Sequence, residues 1–345
     1  MYKQHTVGVV VPAYNESGNV GDVIETMPAF VDRTYVVDDR STDGTWAEIE
    51  RAAARVNART AGPQTQPRGD GGSIAIDPPA RSNPVVPIRH DENRGVGGAI
   101  KTGYRYAIAD GIDVAAVMAG DGQMDPALLD RILDPVVDGR AGYSKGDRLS
   151  DTRSISEMPP LRAFGSMLLT ALTRISSGYW ALSDPQNGYT AVDLDVFDEV
   201  DLDALHDDFG FCNDLLVRLN VADIPIADVP MRARYGDEES SIRYSRFVPN
   251  LSRLLLRDFL WRLEVTYLHT GDPFALSLAA GLGCLPVGVA DFVGDRINGR
   301  EEAGTRAGVL LATGVLAVCL SFSFDRYRNT DLVWKAPRSD DGDHE

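Results

Sequence analysis

Hydrophobic and polar positions divide the chain into two unlike parts. In the first, short apolar runs alternate with polar loops and helical periods; in the last, two long stretches carry no charge. Residues 6–11, 34–37, 85–90 and 114–118 are continuous β-branched and aliphatic runs, which predicts strands covered on both faces. Each leads through a polar loop into a helical stretch, about residues 20–29, 46–58, up to 109, and 127–137. Strands are then expected over 141–144, 189–192 and 224–231, with helices over 161–175 and 209–219. Strand, loop and helix in alternation specify an α/β fold: a Rossmann-like, mostly parallel sheet with helices on both faces. Its ligands lie beyond the carboxyl ends of the strands. Residues 61–84, rich in Gly, Pro, Ser and Gln, interrupt the pattern as a flexible surface insertion.

From residue 246 the pattern changes. Arg246, Arg253, Arg257 and Arg262 alternate with Leu, Phe, Trp and Tyr up to residue 269. That reads as an amphipathic helix in a membrane interface, or as a helix packed on the domain. Residues 273–290 and 307–324 are uncharged runs of 18 residues each, near the lower limit for crossing hydrocarbon. Together they predict a two-helix transmembrane hairpin over 273–325, followed by a polar tail over 326–345. The arginines before and after the hairpin favour a cell-membrane protein with its catalytic unit, residues 1–245, on the cytoplasmic side.

Charge narrows the partners. The chain carries 51 acidic and 34 basic residues, a net charge of −17. Lysine occurs only as Lys3, Lys101, Lys145 and Lys335. Such an acidic, lysine-poor surface resembles that of proteins from high-salt cytoplasms. It excludes non-specific nucleic-acid binding, which needs a basic footprint, and an anionic substrate would need local arginines. Cys212, Cys284 and Cys319 have no metal-ligand spacing. Residues 1–6 are short and polar, so no signal peptide is expected.

Candidate chemistry collects where strands end. The run 114–118 stops at Ala119-Gly120-Asp121-Gly122-Gln123. A carboxylate and an amide two positions apart can present oxygens to one hard cation; the competing reading is a surface turn. The stretch from Pro12 to Asn19 and the stretch from Asp38 to Thr45 are polar loops that open helices. Asn93-Arg94-Gly95-Val96-Gly97-Gly98-Ala99 either cradles phosphate or lets a helix pack closely, and close packing is favoured. A dinucleotide fingerprint fits poorly, because it belongs in the first strand–helix turn. Asp184 and Asp214 are the candidate general bases. Their plainer readings are a turn acid before Pro185 and an acid at a helix start.

Taken in order, Pro12-Ala13-Tyr14-Asn15-Glu16, Val37-Asp38-Asp39-Arg40-Ser41-Thr42-Asp43-Gly44-Thr45, Asn93 to Ala99 and Asp121-Gly122-Gln123 resemble family-2 glycosyltransferases. The likeness covers about residues 5–245 and is strongest to the polyprenyl-phosphate (dolichyl-phosphate) mannose and glucose synthase branch. It implies a GT-A fold, a UDP- or GDP-linked nucleotide diphosphate sugar as donor, a polyprenyl or dolichyl phosphate as acceptor, and inversion at the anomeric carbon. It also implies that Pro12, Tyr14 and Glu16 line the base and ribose pocket and that Asp39, with Asp38, hydrogen-bonds the nucleoside. Asp121 and Gln123 would hold Mg²⁺ or Mn²⁺, and Lys145, Arg148 and Arg234 would bind the donor's diphosphate. The chain departs from the family pattern at Ala119, where an acid is expected, and at Ser241, where a lysine is expected and Arg243 could restore the charge. Other readings are transfer to another lipid-linked saccharide or polymer, a sugar-1-phosphate nucleotidyltransferase, and an inactive membrane interaction module. Tyr14-Asn15-Glu16 stands where a nucleotidyltransferase would have a glycine-rich basic loop. A homo-oligomer is compatible with all of these.

Overall fold

The computed structural model describes residues 1–60, 83–150, 160–231, 244–268, 272–298 and 304–337. Among these, eight strands form one sheet, in the order β3-β2-β1-β4-β6-β5-β7-β8. They are β1 Val7–Ala13, β2 Arg33–Asp38, β3 Val85–Arg89, β4 Val114–Val117, β5 Tyr143–Asp147, β6 Thr190–Asp193, β7 Ile226–Pro230 and β8 Val333–Lys335. β6 runs antiparallel to β4 and β5; the other pairs are parallel. Every residue of β1 is buried, which is why its sequence is a run of valines without a period of two.

The pleat sends alternate residues of β1 into two cores. Val7, Val9 and Val11 pack with Val20, Ile24, Ile49, Leu129 and Ile132, which come from α1 Val20–Glu25, α2 Thr45–Thr60 and α4 Leu129–Val137. Val10 packs on the other face with Tyr104, Phe211 and Leu215, from α3 Gly95–Ala109 and α6 Phe211–Val221. Each such buried side chain contributes about 1.5–3 kcal/mol of transfer free energy. α1 ends at Glu25 rather than near residue 29. Pro28 disfavours helical backbone at Met27, and Thr26 Oγ1 closes the last turn by donating to Asp22 O at 2.7 Å.

The last third is built from α7 Tyr244–Leu263, a π turn Glu264–Leu268, α8 Pro273–Asn298 and α9 Gly304–Arg328. α7 packs against α6 and against α5 Pro160–Ser177. Leu251, Leu254 and Leu255 are buried, while Val248, Leu256 and Leu260 on the same helix are exposed. Two of the four arginines expected at a membrane interface are held by the protein instead. Arg257 Nη2 lies 2.8 Å from Asp258 Oδ1 and 3.6 Å from Asp214 Oδ2. Arg262 is 1% exposed. Besides Asp258 on the same helix, Asp214 from α6 and Asp325 from α9 converge on this face, a pairing that periodicity does not reveal.

α8 and α9 pair as a hairpin of closely approaching backbones. A Cβ on Gly288 would lie 3.1 Å from Leu311 N, and one on Gly314 would lie 3.1 Å from Leu285 N; small residues at such contacts are typical of packed membrane helices. Both helices are long and apolar enough to cross a membrane. Leu276, Leu282, Val309 and Leu316 face outward. Residues 326–337, expected within the polar tail, carry secondary structure. α9 continues to Arg328, and β8 then joins the sheet, with Val333 opposite Ile226 and Lys335 opposite Asp228. Leu332 and Val333 pack on one core and Ala336 on the other, and Arg140 lies over the Trp334 ring at 5.0 Å.

Candidate active site

Because β6 alone is reversed, the carboxyl ends of β1 to β5 and the entry to β6 share one edge. Strand order reverses between β1 and β4, which is where open α/β sheets bind ligands. Gly120 N donates to Pro12 O at 3.1 Å across that point, and a Cβ at Gly120 would lie 3.2 Å from Ala13 Cβ. Pro12 is buried in β1, so it fixes this turn through its carbonyl, while Tyr14 stands 46% exposed just beyond it. The loops after β1 and β2 are laced together. Asn15 N donates to Ser41 Oγ at 3.0 Å, Thr42 N donates to Asn15 Oδ1 at 2.9 Å, and Glu16 N donates to Thr45 Oγ1 at 2.8 Å. Asn15 and Arg40 take left-handed φ values of 58° and 65°. That backbone strain is of the kind that concentrates at functional sites.

Asp38 and Asp39 have separate tasks. Asp39 is saturated by the protein. It accepts from Arg94 N and Gly95 N, each at 2.8 Å, and its Oδ1 lies 2.7 Å from His90 Nδ1. It therefore caps α3, whose positive end is already occupied by a carboxylate. This settles the glycine-rich stretch as packing: a Cβ at Gly97 would overlap the backbone at His206 and Asp207. Asp38 is fully buried. Its Oδ1 accepts from Ser41 N at 3.2 Å; its Oδ2 lies 3.1 Å from Arg89 Nε but receives no hydrogen bond. A buried acceptor without a donor costs about 1–3 kcal/mol, and a ligand hydroxyl or N–H would supply one. Asp39 is thus taken up by the protein, while Asp38 keeps one oxygen without a hydrogen bond.

The segment carrying Asp121 is a turn rather than extended backbone. Gly122 has φ +73°, and Gln123 N donates to Asp121 Oδ1 at 2.9 Å. Asp121 is half-buried and Gln123 exposed. Ala119 N donates to Met124 Sδ at 3.2 Å, and the alanine side chain offers no metal ligand. No group of three or more His, Cys, Asp or Glu able to hold a metal occurs among the described residues. One carboxylate and one amide suit a hard cation that brings most of its oxygen ligands with a diphosphate and water.

On the other side of β4, Lys145, expected at the donor's diphosphate, is engaged within the protein. It is 1% exposed, with Nζ 2.7 Å from Asp228 Oδ1, and it donates to Asp184 O at 2.8 Å. It points into the sheet because β5 and β7 pair there, Lys145 opposite Asp228. The pair fixes the turn before β6. On that turn the buried Asp184 accepts from Arg148 Nε at 2.8 Å and from Arg148 Nη2 at 3.3 Å. Burial pushes the Asp184 carboxyl up, but the hydrogen bonds and charge of Arg148 and the charge of Lys145 outweigh it and hold it below the usual carboxylate range. The Arg148 side chain remains 39% exposed at the edge. Neighbouring Asp147 is raised, by burial first and then by Asp228.

Asp214 does not open on the edge either. It is 1% exposed, accepts from His206 N at 2.8 Å and from Arg218 Nε at 3.1 Å, and faces α7. Asp258 on α7 is pushed up to about 6 by burial, then by Asp214, against the opposing charge of Arg257. Arg234, Ser241 and Arg243 lie outside the described residues. The sequence reading missed Asp228, whose signal was an acid inside an apolar strand, and His90, an imidazole ending β3 beside Asp39.

Residues 8–201 match the family model described as glycosyl transferase family 2. The chain belongs to glycosyl transferase family 2. Relatives of this glycosyltransferase handle polyprenyl phosphates. A UDP-N-acetylglucosamine–dolichyl-phosphate N-acetylglucosaminyltransferase of Methanococcus voltae is 25% identical over 227 residues, 64% of this chain and 84% of the relative. An undecaprenyl-phosphate mannosyltransferase of Micrococcus luteus is 28% identical over 235 residues, 64% of this chain and 81% of the relative. A solved structure of glucosyl-3-phosphoglycerate synthase from Mycobacterium tuberculosis aligns with a TM-score of 0.49 at 18% identity, covering 77% of this chain and 82% of that one. The family makes this chain a glycosyltransferase, and these two relatives are by name polyprenyl-phosphate sugar transferases.

Proposed function

We propose that the protein transfers a sugar from a UDP- or GDP-linked nucleotide diphosphate sugar to a membrane polyprenyl or dolichyl phosphate, with inversion at the anomeric carbon. The observation that carries this reading is the sheet edge at the β1–β4 reversal. Along that edge lie Asp38, with Oδ2 lacking a hydrogen bond, the Asp121 turn and the Asp184-held Arg148, in a chain that also carries a hairpin of membrane length.

In this reading Asp38 Oδ2 accepts a hydrogen bond from the nucleoside, and the exposed Tyr14, with Glu16, flanks the base and ribose. Asp121 and Gln123 would hold Mg²⁺ or Mn²⁺, which when bound neutralises charge growing on the leaving diphosphate. Arg148 adds a fixed positive charge at the same edge, oriented by Asp184 before substrate arrives. An acceptor phosphate oxygen attacks the anomeric carbon, the bond from that carbon to the diphosphate oxygen breaks, and the nucleoside diphosphate leaves with the bonding pair. The acceptor is ionised at neutral pH, so no proton needs to be removed. That fits Asp184 and Asp214, which are both consumed by arginines. Asp184 is thus a positioning residue and Asp214 a packing one, rather than bases.

The outward apolar residues of α7 and the α8–α9 hairpin would sit in and against the bilayer, on the cytoplasmic side, where the lipid phosphate lies. The test is transfer of labelled sugar from a panel of UDP- and GDP-sugars to polyprenyl phosphate in vesicles, with Mn²⁺ or chelator and at low and molar salt. Metal-dependent formation of glycosylated lipid is expected. No transfer from any donor under any condition would favour an inactive membrane module.

A further inference from the structure

Where the membrane hairpin meets the catalytic unit, the contact is a closed polar hub rather than an apolar seam. Arg262, at the end of α7, and Asp325, near the end of α9, are each 1% exposed. The Arg262 guanidinium pairs with Asp325 through Nη2, and its Nη1 donates to Asp325 Oδ2 at 3.3 Å. Arg262 Nε donates to Asn220 Oδ1 at 2.7 Å, at the end of α6. Trp180 Nε1 donates to Asp325 Oδ2 at 2.9 Å, and Tyr267 OH donates to Asp325 Oδ1. Asn329 Nδ2 donates to Asp325 Oδ1 at 2.8 Å, and Asn220 Nδ2 donates to Asn329 Oδ1 at 2.8 Å. Gly178, at φ +82°, leaves the room the guanidinium fills, since a Cβ there would overlap it. Residues from α6, the turn after α5, α7, the π turn and α9 thus meet in one hydrogen-bonded cluster.

The hub continues toward the active edge. After Asn329 the chain enters β8, which starts opposite the first residue of β7 and runs parallel to it. At the far end Lys335 Nζ donates to Ser183 Oγ at 3.0 Å, and Ala336 N donates to Asp228 O at 3.0 Å. Ser183 N in turn donates to Asp228 Oδ2 at 2.9 Å. Ser183 precedes Asp184, the residue that aims Arg148. The hairpin is therefore fastened at its entry by Arg262 and at its exit by β8.

A buried ion pair is weak as a stabiliser, because desolvation offsets its attraction, and apolar residues of similar size often serve stability as well. An apolar cluster of Tyr267, Phe274, Leu278, Val318 and Phe322 also joins the hairpin to this region. Such contacts tolerate small slides; a saturated hub permits one arrangement. We propose that Arg262 and Asp325 are positioning residues that fix the membrane hairpin on the catalytic unit and so set the reach from bilayer to active edge, favouring a long acceptor held in the membrane. This rests on the lipid-phosphate reading above.

The test replaces the pair with apolar residues, Arg262→Met with Asp325→Leu, in the full chain reconstituted in vesicles; Asp325→Asn alone is the second variant. Transfer to long polyprenyl phosphate in the bilayer is compared with transfer to a short water-soluble prenyl phosphate. The distance from an N-terminal dye to headgroup-labelled lipid is measured in parallel by energy transfer. The double variant should keep its Tm and its kcat and KM on the short acceptor. It should lose about tenfold in kcat/KM on the long one, with a broadened dye-to-lipid distance. Asp325→Asn, which strands the buried Arg262 charge, should lower Tm and show the same selective loss on the long acceptor. Equal losses on both acceptors, or no loss on either, would overturn the proposal. If wild type glycosylates neither acceptor, the lipid-phosphate reading fails, and the distance measurement still decides the hub: an unchanged narrow distance in the double variant overturns it.

Discussion

Lys145→Met separates a scaffold lysine from a ligand lysine. In the wild type, Lys145 and Asp228 are each 1% exposed and lie 2.7 Å apart. Removing the ammonium leaves Asp228 with the Ser183 amide as its remaining donor and no neutralising charge. Breaking a buried pair from one side costs about 3–5 kcal/mol, a large part of the roughly 5–15 kcal/mol that holds a typical domain together. At about 2–4 °C per kcal/mol for a domain of this size, the lower figure alone lowers Tm by about 6–12 °C. Adding Asp228→Leu removes the stranded carboxylate and should restore Tm to within a few degrees. The assay is thermal unfolding in detergent, with nucleotide-sugar affinity measured on the folded fraction. Affinity should change little in the folded single variant, because Nζ faces Asp228 and the Asp184 carbonyl. A loss of affinity of tenfold or more with unchanged Tm would refute the assignment and return Lys145 to the diphosphate.

Other outcomes follow from the same geometry. Asp121→Ala should abolish metal-dependent nucleotide-sugar binding with Tm unchanged; metal-stimulated transfer at wild-type rate would remove Asp121 from the cation site. Arg148→Ala should lower kcat about 100-fold or more and also strand Asp184, whereas Asp184→Asn should lower kcat less; the reverse ranking, measured by initial rates, would make Asp184 the reacting group. Asp258 has a folded pKa of about 6, above its unfolded value. Its contribution to stability is therefore fully present below about pH 4 and lost as pH rises through about 6. Asp258→Asn should stabilise by about 1–3 kcal/mol near pH 8 and by almost nothing near pH 4; an equal gain at both pH values contradicts the coupling to Asp214.

The sheet was legible because it is doubly covered. A strand buried on both faces must be apolar throughout, and residues 7–13 and 114–117 announce themselves without any partner being known. The Asp121 turn was legible for a related reason: a buried strand ending in glycines and an acid is a local pattern. What the sequence hid is pairing between distant residues. Asp38 and Asp39 are adjacent and chemically identical, and only the approach of His90, Arg94 and Gly95 distinguishes the capping acid from the one left with a bare oxygen. The sequence did not show that Lys145 meets Asp228, because Asp228 comes from a strand much later in the chain. β8 is three residues long and has no periodicity of its own; it exists because β7 offers an edge. Arg262 sat in a regular arginine stripe, and its burial depends on Asp325 arriving from the other end of the hairpin.

The acceptor decides the account. With one nucleotide sugar that binds, transfer is measured side by side to polyprenyl phosphate, to the matching polyprenol without phosphate, and to a lipid-linked saccharide, in the same vesicles with Mn²⁺. An edge whose candidate base Asp184 is paired with Arg148 should glycosylate the phosphate and leave the alcohol and the saccharide untouched. Transfer to the alcohol or saccharide, with the phosphate unreacted, would contradict it.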